Sequence, residues 1–397
     1  MKILVINSGS SSLKYQFLNM EDESVIAKGT VERIGMDGSF LTHKVNGEEI
    51  VIKDDIKNHS IAISLVLKCL TEGEKAVIKD INEISAFGHR CVHGGEIKGA
   101  KIIDDEIINY LKDNVELAPL HTPANIIGIE ACREIAPSIP NVAVFDTAFH
   151  QTMPKKAFLY AIPQKYYKEY KIRRYGFHGT SHKYVSQLAA EMLGKDIKDT
   201  KIITCHIGNG ASIAAIKGGE CMDTSMGFTP LAGVMMGTRS GDVDPSVLEY
   251  LMKKTGYSIS EATNCLNKQS GLLGVSGFSS DSRDITGKLD TDENAKLAME
   301  MMCYSITKYV GSYAAVLNGV DAIVFTAGIG ENSPELRAGV LDNLGYLGVE
   351  YDKELNNSTR RKPATEISTK DSKVKVYVIP TNEELVIARE TKEILKK

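Results

Sequence analysis

Residues 201–213 read KIITCHIGNGASI: an apolar run that reaches His206, a Gly-Asn-Gly segment, and a second apolar run. A strand must end there. Gly208, Asn209, Gly210, Ala211 and Ser212 are small enough for the backbone to reverse tightly. The amide N–H groups such a turn leaves uncovered form a concave nest that attracts anions, phosphate above all.

The same plan occurs at residues 2–13, KILVINSGSSSL, where an apolar strand meets Asn7 and then Ser8-Gly9-Ser10-Ser11-Ser12. Aligning Lys2 with Lys201 sets Asn7 on His206 and Gly9 on Gly208, an offset of 199 in a chain of 397 residues. Two polar hairpins in matched order at half-chain spacing predict a duplicated domain. Taken singly, each is an ordinary strand-turn-strand unit.

The chain is too long for one hydrophobic core, so two domains are expected. A formal net charge of −4 argues against a nucleic-acid partner, which needs a basic face. Arg360-Arg361-Lys362 reads as a solvated loop before Pro363. Seven scattered cysteines without a C-x-x-C pair signal neither a disulfide framework nor a zinc cluster, which fits a reducing cytoplasm. The short apolar run at 3–6 falls well below a signal-peptide core. No run approaches the ~18 apolar residues of a membrane span, so no membrane partner is expected.

In chain order, residues 3–6 and 14–18 read as strands, and 24–31, 41–45 and 49–53 continue an antiparallel pattern. Residues 61–70 and 102–111 read as helices, and 84–88 as a short strand with His89-Arg90-Cys91-Val92-His93-Gly94-Gly95 in a loop at its end. Thr122 is placed to cap a helix running to about 135, with Pro123 at its first position. Residues 141–145 read as a strand, with Asp146 just past it. Strands followed by alternating helix and strand predict an α/β domain. The second half reads as a helix from the 176–182 segment to about 193, the second hairpin, and glycine-rich loops at 226–244 and 270–285. A long helix follows over 291–319, capped by Asp292, stopped by Gly319, and buried along Ala298, Met302, Ile306, Tyr309, Tyr313 and Leu317. A buried-type strand at 321–326 ends in a glycine turn at 328–332. A strand at 374–379, a turn and a helix from about Glu383 close the chain.

No Walker motif, no G-x-G-x-x-G and no H-R-D occurs, which removes P-loop enzymes, a dinucleotide fold and protein kinases. Two hairpin nests and the 328–332 turn remain, consistent with a nucleotide gripped between two domains. Arg90 and Arg239, each in a loop among glycines and histidines, suit bidentate contact with carboxylate or phosphate, or else a surface ion pair. Lys14 can meet a phosphate or cover a strand edge. Asp146, Glu383 and Asn7 offer oxygen ligands suited to Mg²⁺. Asp242 and Asp244 are alternatives, unless Asp-Val-Asp-Pro only caps a helix. His178 and His182 lack the glutamate of a zinc protease. His121, His178 and His206 lie in Gly- or Pro-flanked loops, where an imidazole can donate to a phosphoryl oxygen or serve as a buried structural group.

The blocks LVINSGSSSLKY (4–15), FGHRCVHGG (87–95), VFDTAFHQTMP (144–154), YGFHGTSHKYV (175–185), HIGNGAS (206–212), GTRSGDVDP (237–245), FTAGIGEN (325–332) and PTNEE (380–384) together resemble the acetate kinase family. They stand in order over nearly the whole chain. The resemblance implies α/β architecture with duplicated ribonuclease-H-like (actin-like ATPase) domains and an interdomain active-site cleft. The expected halves are 1–150 plus 383–397, and 151–382 as the nucleotide-binding half. It implies reversible transfer of the ATP γ-phosphoryl group to acetate, giving acetyl phosphate and ADP, with Mg²⁺ (or Mn²⁺) and a cytoplasmic homodimer.

Carried over by motif, Asn7 and Glu383 match magnesium positions, Arg90 the residue binding the substrate carboxylate, and Asp146 the catalytic acid. His178 and Arg239 match transition-state stabilisers. Lys14 with Ser10 and Ser12, His206-Ile207-Gly208-Asn209-Gly210, Asp281-Ser282-Arg283 and Gly328-Ile329-Gly330-Glu331-Asn332 match nucleotide contacts. Val92, Leu120, His121, Phe177 and Pro230 match the small pocket for the substrate. A carboxylate is already ionised at pH 7 and needs no general base, so Asp146 is expected to hold Mg²⁺ waters or orient an arginine during direct in-line transfer. Propionate kinase is the alternative within the class. An actin- or Hsp70-like ATP-driven protein is the alternative outside it.

Overall fold

The computed structural model describes residues 1–119 and 121–396. The chain divides into two compact units, Met1–Phe149 with Asn382–Lys397, and His150–Thr381.

The first unit begins with β1 (Lys2–Ser8), β2 (Ser12–Asn19), β3 (Ser24–Glu32), β4 (Phe40–Val45) and β5 (Glu48–Lys53), each antiparallel to the one before. It then adds β6 (Ala86–Cys91), β7 (Lys101–Ile102) and β8 (Asn141–Phe145). The sheet runs β5-β4-β3-β2-β1-β6-β8-β7, with β1, β6 and β8 parallel. The second unit has β9 (Lys201–Ile207), β10 (Ala211–Lys217), β11 (Glu220–Thr224), β12 (Ala322–Thr326), β13 (Thr365–Glu366) and β14 (Lys375–Val378). Its order is β11-β10-β9-β12-β14-β13, with β9, β12 and β14 parallel. β3-β2-β1-β6-β8 and β11-β10-β9-β12-β14 thus follow one plan: an antiparallel meander with two parallel strands added beside its first strand. This is a ribonuclease-H-like sheet written twice.

The central strands are buried on both faces, so they read as continuous apolar runs without alternation. Every residue of β8 and of β12 is buried. In β6, Phe87 packs in one core with Ala131 and Cys132 of the helix Thr122–Ile135. Its neighbour Gly88 points the other way, at Thr391 and Ile387 of the helix Glu383–Leu395. In the second unit, Val185 and Ala189 of the helix Gly179–Met192 join Ile202, Ala322 and Val324. The long helix Glu293–Leu317 starts on Asp292, whose side chain accepts from the Ala295 amide, and ends on Asn318 in the left-handed region (φ 51°). Its Ala298, Met302, Ile306, Tyr313 and Leu317 are buried, while Tyr309 is half-buried and bonded to Asp242.

Several local expectations differ from the structure. Residues 102–111 are not one helix: Lys101–Ile102 pairs with β8 as an edge strand, and the helix is Asp105–Asp113. Thr122 is the first residue of its helix rather than the cap, which is His121 without a side-chain cap bond. The 270–285 loop contains the short helices Gly271–Ser276 and Ser282–Thr286. The 328–332 turn is the short helix Ala327–Asn332.

Arg337, fully buried, ties that short helix down. It donates to the carbonyls of Gly330 (2.8 Å) and Glu331 (2.9 Å) at the helix end, and to Asn356 Oδ1 (2.7 Å), Asn356 O (2.8 Å) and Thr359 O (2.8 Å). All five acceptors are neutral, and burial lowers the guanidinium pKa to about 10. Replacing Arg337 with Met keeps the apolar stem and strands buried carbonyls, so urea unfolding should report a loss of at least about 3 kcal/mol. Arg337→Lys should recover part of it.

His89 in β6 is buried against Asn141 Oδ1 (2.7 Å), and desolvation lowers its pKa from 6.5 to about 4. The unfolded chain therefore takes up this proton first. Stability is fully present above about pH 6.5 and is lost as pH falls towards 4, by about 3 kcal/mol for this group. The urea midpoint should drop between neutral pH and pH ~5, and His89→Gln should flatten that slope.

Candidate functional site

In the first unit the carboxyl ends of three parallel strands lie side by side, because Ile6 pairs with His89 and Cys91 with Phe145. Open α/β sheets receive ligands at such strand ends. Asn7 sits near the end of β1, Arg90 near the end of β6 and Asp146 one residue past β8. Arg90 is thus a strand residue held by ladder pairing, not the loop residue its glycine and histidine neighbours suggested. Its Nε donates to Asp146 Oδ1 (3.1 Å) and its Nη2 to Asp146 Oδ2 (2.7 Å), a bidentate pair. The Asp146 side chain is 2% exposed and that of Arg90 25%, so the carboxylate is enclosed while the guanidinium keeps an open side. Asp146, and behind it Glu383 and Glu384, raise the Arg90 pKa above its ordinary value.

The surrounding frame is polar and specific. The Val92 amide donates to Asn125 Oδ1 (3.1 Å), and Asn125 Nδ2 donates to Ser8 O (3.1 Å), fastening the first hairpin to the end of β6. Lys14 is exposed and stands opposite Asn7 in the hairpin. Ser10 lies in the turn and Ser12 opens β2. His121 is exposed at the start of its helix, and Leu120 lies outside the described residues.

In the second unit the β9–β10 turn draws two cationic or donor side chains to one point. A Cβ built on Gly210 would stand 3.3 Å from Arg239 Nη1 and 3.7 Å from His178 Nε2. Arg239 donates to Pro230 O (3.1 Å), and among the described residues it has no carboxylate partner. Burial lowers its pKa. The Gly237 amide donates to Asn209 O (3.0 Å), and a side chain at 237 would strike Asn209 Oδ1 at 1.9 Å. That glycine lets the Arg239 loop close on the hairpin. His178 adopts a left-handed backbone (φ 58°), bonds Ser212 Oγ through Nδ1 (2.8 Å) and stacks on His206 with ring centroids 4.1 Å apart. Phe177 is buried, and its carbonyl bonds His150 Nε2 (2.8 Å).

A cavity of about 1000 Å³ opens beside this turn. Asn209, Asp281, Ser282, Arg283, Gly328, Ile329 and Asn332 line it. His206, Ile207, Gly208, Gly210, Gly330 and Glu331 do not line it. Burial raises the Glu331 pKa, and its carboxylate accepts from the Thr381 amide (3.1 Å). Ser280, Thr286, Gly287, Ser333, Glu335, Arg360 and Arg361 also line the cavity and were not anticipated. For the two arginines the basic run was visible, but nothing local linked it to residue 332, whose Oδ1 accepts from the Arg361 amide (3.1 Å). Asp244 caps the helix Pro245–Thr255, and Asp242 accepts from the Gly233 amide (2.8 Å), so both serve the loop framework. Among the described residues no three His, Cys, Asp or Glu side chains form a metal cage.

The acetokinase family model matches residues 2–389. The acetate kinase of Clostridium kluyveri is 58% identical over 400 aligned residues, covering 100% of this chain and 98% of that protein. The acetate kinase of Thermotoga maritima is also 58% identical, covering 100% and 99%. Among solved structures, Porphyromonas gingivalis acetate kinase superposes with a TM-score of 0.95 at 49% identity, covering 99% of each chain. A propionate kinase from Francisella tularensis gives 0.91 at 41% identity, covering 98% of each. The two matching sheets, the arginine at the glycine turn and these whole-length likenesses agree: the chain belongs to the acetokinase family.

Proposed function

We propose that this protein catalyses reversible transfer of the γ-phosphoryl group of ATP to acetate, giving acetyl phosphate and ADP. Family membership supplies the reaction. The observation that carries the site assignment is Arg239, a guanidinium beside an imidazole at a glycine turn, with no carboxylate partner among the described residues. Such a group is stabilised by a polyanion. In-line transfer spreads negative charge over three equatorial oxygens, which Arg239 and His178 meet as donors.

Arg90 binds the acetate carboxylate. With Nε and one Nη2 proton committed to Asp146, its remaining N–H donors serve the substrate. Acetate is ionised at neutral pH, so no proton has to be removed before it attacks. Asp146 therefore orients Arg90 rather than acting as a base. Val92 and His121 of the first unit are the groups that meet the methyl, by motif, and the 1000 Å³ cavity of the second unit receives the nucleotide. Mg²⁺ takes few protein oxygens and keeps water and phosphate ligands, and Asn7 and Glu383 would supply those oxygens. When bound, it neutralises charge on the phosphates. Action as a cytoplasmic homodimer rests on family membership alone.

A second acceptor, propionate, is raised by the 41% identical propionate kinase structure. One added methylene against Val92 costs only about 1–3 kcal/mol. A hydroxamate assay for acyl phosphate should rank acetate above propionate above butyrate, with propionate still turned over. Val92→Ala should narrow the gap. No acyl phosphate from any of the three would overturn the reading.

Asp146→Asn should lower kcat by at least ~100-fold and raise the acetate KM, because the arginine loses its charged, bidentate partner. A fall in kcat with acetate KM unchanged would instead point to a proton-transfer role.

A further inference from the structure

A line of hydrogen bonds in the second unit reaches His178. Thr204 Oγ1 lies 2.7 Å from His182 Nδ1, His182 Nε2 lies 2.7 Å from Ser212 Oγ, and Ser212 Oγ lies 2.8 Å from His178 Nδ1. Thr204, His206 and Ser212 share one face of the β9–β10 ladder, and His182 stands one helical turn after His178. Thr204, His182 and Ser212 are each 0% exposed. Among the described residues their side chains have no other hydrogen-bond partner.

Proton counting sets the direction of this line. Each hydroxyl brings one proton and a neutral imidazole brings one. His182 is neutral, since burial lowers its pKa well below the ordinary value. Run outward, Thr204 O–H donates to His182 Nδ1, His182 Nε2–H donates to Ser212 Oγ, and Ser212 O–H donates to His178 Nδ1. Every proton is then used. Run inward, His178 Nδ1–H donates to Ser212, Ser212 to His182 Nε2, and His182 Nδ1–H to Thr204. The Thr204 O–H is then a buried donor with nothing to meet, which native structures avoid.

We infer that Thr204, His182 and Ser212 are positioning residues that hold His178 as the tautomer protonated on Nε2. The His178 ring also stacks nearly parallel (18°) on His206, with centroids 4.1 Å apart, which holds its plane. The relay directs the proton to the nitrogen that stands 3.7 Å from the Cβ position of Gly210, towards which Arg239 also reaches. The consequence for catalysis rests on the reading of His178 as a donor to the transferring phosphoryl group. The tautomer itself does not.

Neutron diffraction from perdeuterated crystals of the unsubstituted protein at neutral pH tests the inference directly. Deuterium is expected on His178 Nε2 and on the Thr204 and Ser212 hydroxyls in the outward sense. Deuterium on His178 Nδ1 would overturn it. Kinetics on folded variants tests the consequence. Ser212→Ala should lower kcat about tenfold, with KM for ATP and acetate changed less than twofold. Thr204→Val should lower kcat less, and Thr204→Ser should restore it. The expected deuterium pattern with kcat unchanged in Ser212→Ala would uphold the relay and remove His178 from the transfer step instead.

Discussion

A sheet covered by helices on both faces has nowhere to hold a ligand except at the ends of its strands. This constraint arranges the whole molecule. In β6, Phe87 faces one layer of helix and Gly88 the other, and full burial along β8 and β12 shows the same enclosure. Chemistry is pushed to the carboxyl edge, where Asn7, Arg90 and Asp146 gather in one unit and His206 and the Ala327–Asn332 helix in the other. The duplicated strand order means that this solution was reached once and used twice.

The two arginines proposed for the site differ in how their charge is managed. Arg90 is locked on an enclosed carboxylate, which fixes its plane and leaves a defined set of donors. Arg239 is bonded, among the described residues, to a carbonyl and a thioether sulfur and to no carboxylate. A paired guanidinium suits binding of a small monoanion in a fixed pose. An unpaired one suits charge that grows during a reaction, because its favourable interaction is not already satisfied in the resting protein.

Much of this was legible in sequence because it is local. Apolar runs broken by small residues located both hairpins, and an Asp at one end and a Gly at the other bounded the long helix to within a residue or two. Motif residues fell at strand ends because that is where open sheets place them. What could not be read depends on distant partners. Arg90 sits among glycines and histidines like a loop residue, yet ladder pairing with β8, some 50 residues later, makes it part of a strand. Arg337 resembles any helix arginine until its acceptors at 330, 331, 356 and 359 are assembled around it. The Ser/Gly-rich 270–285 segment carries no apolar period, so its two short helices give no signal.

Gly210 has an ordinary backbone; it is not among the glycines with positive φ. Its lack of a side chain is therefore a matter of volume rather than of torsion. A Cβ there would stand 3.3 Å from Arg239 Nη1, so the guanidinium would have to give way, and 3.7 Å from the His178 ring. The close approach of a guanidinium and an imidazole to this turn thus depends on nothing more than an absent carbon.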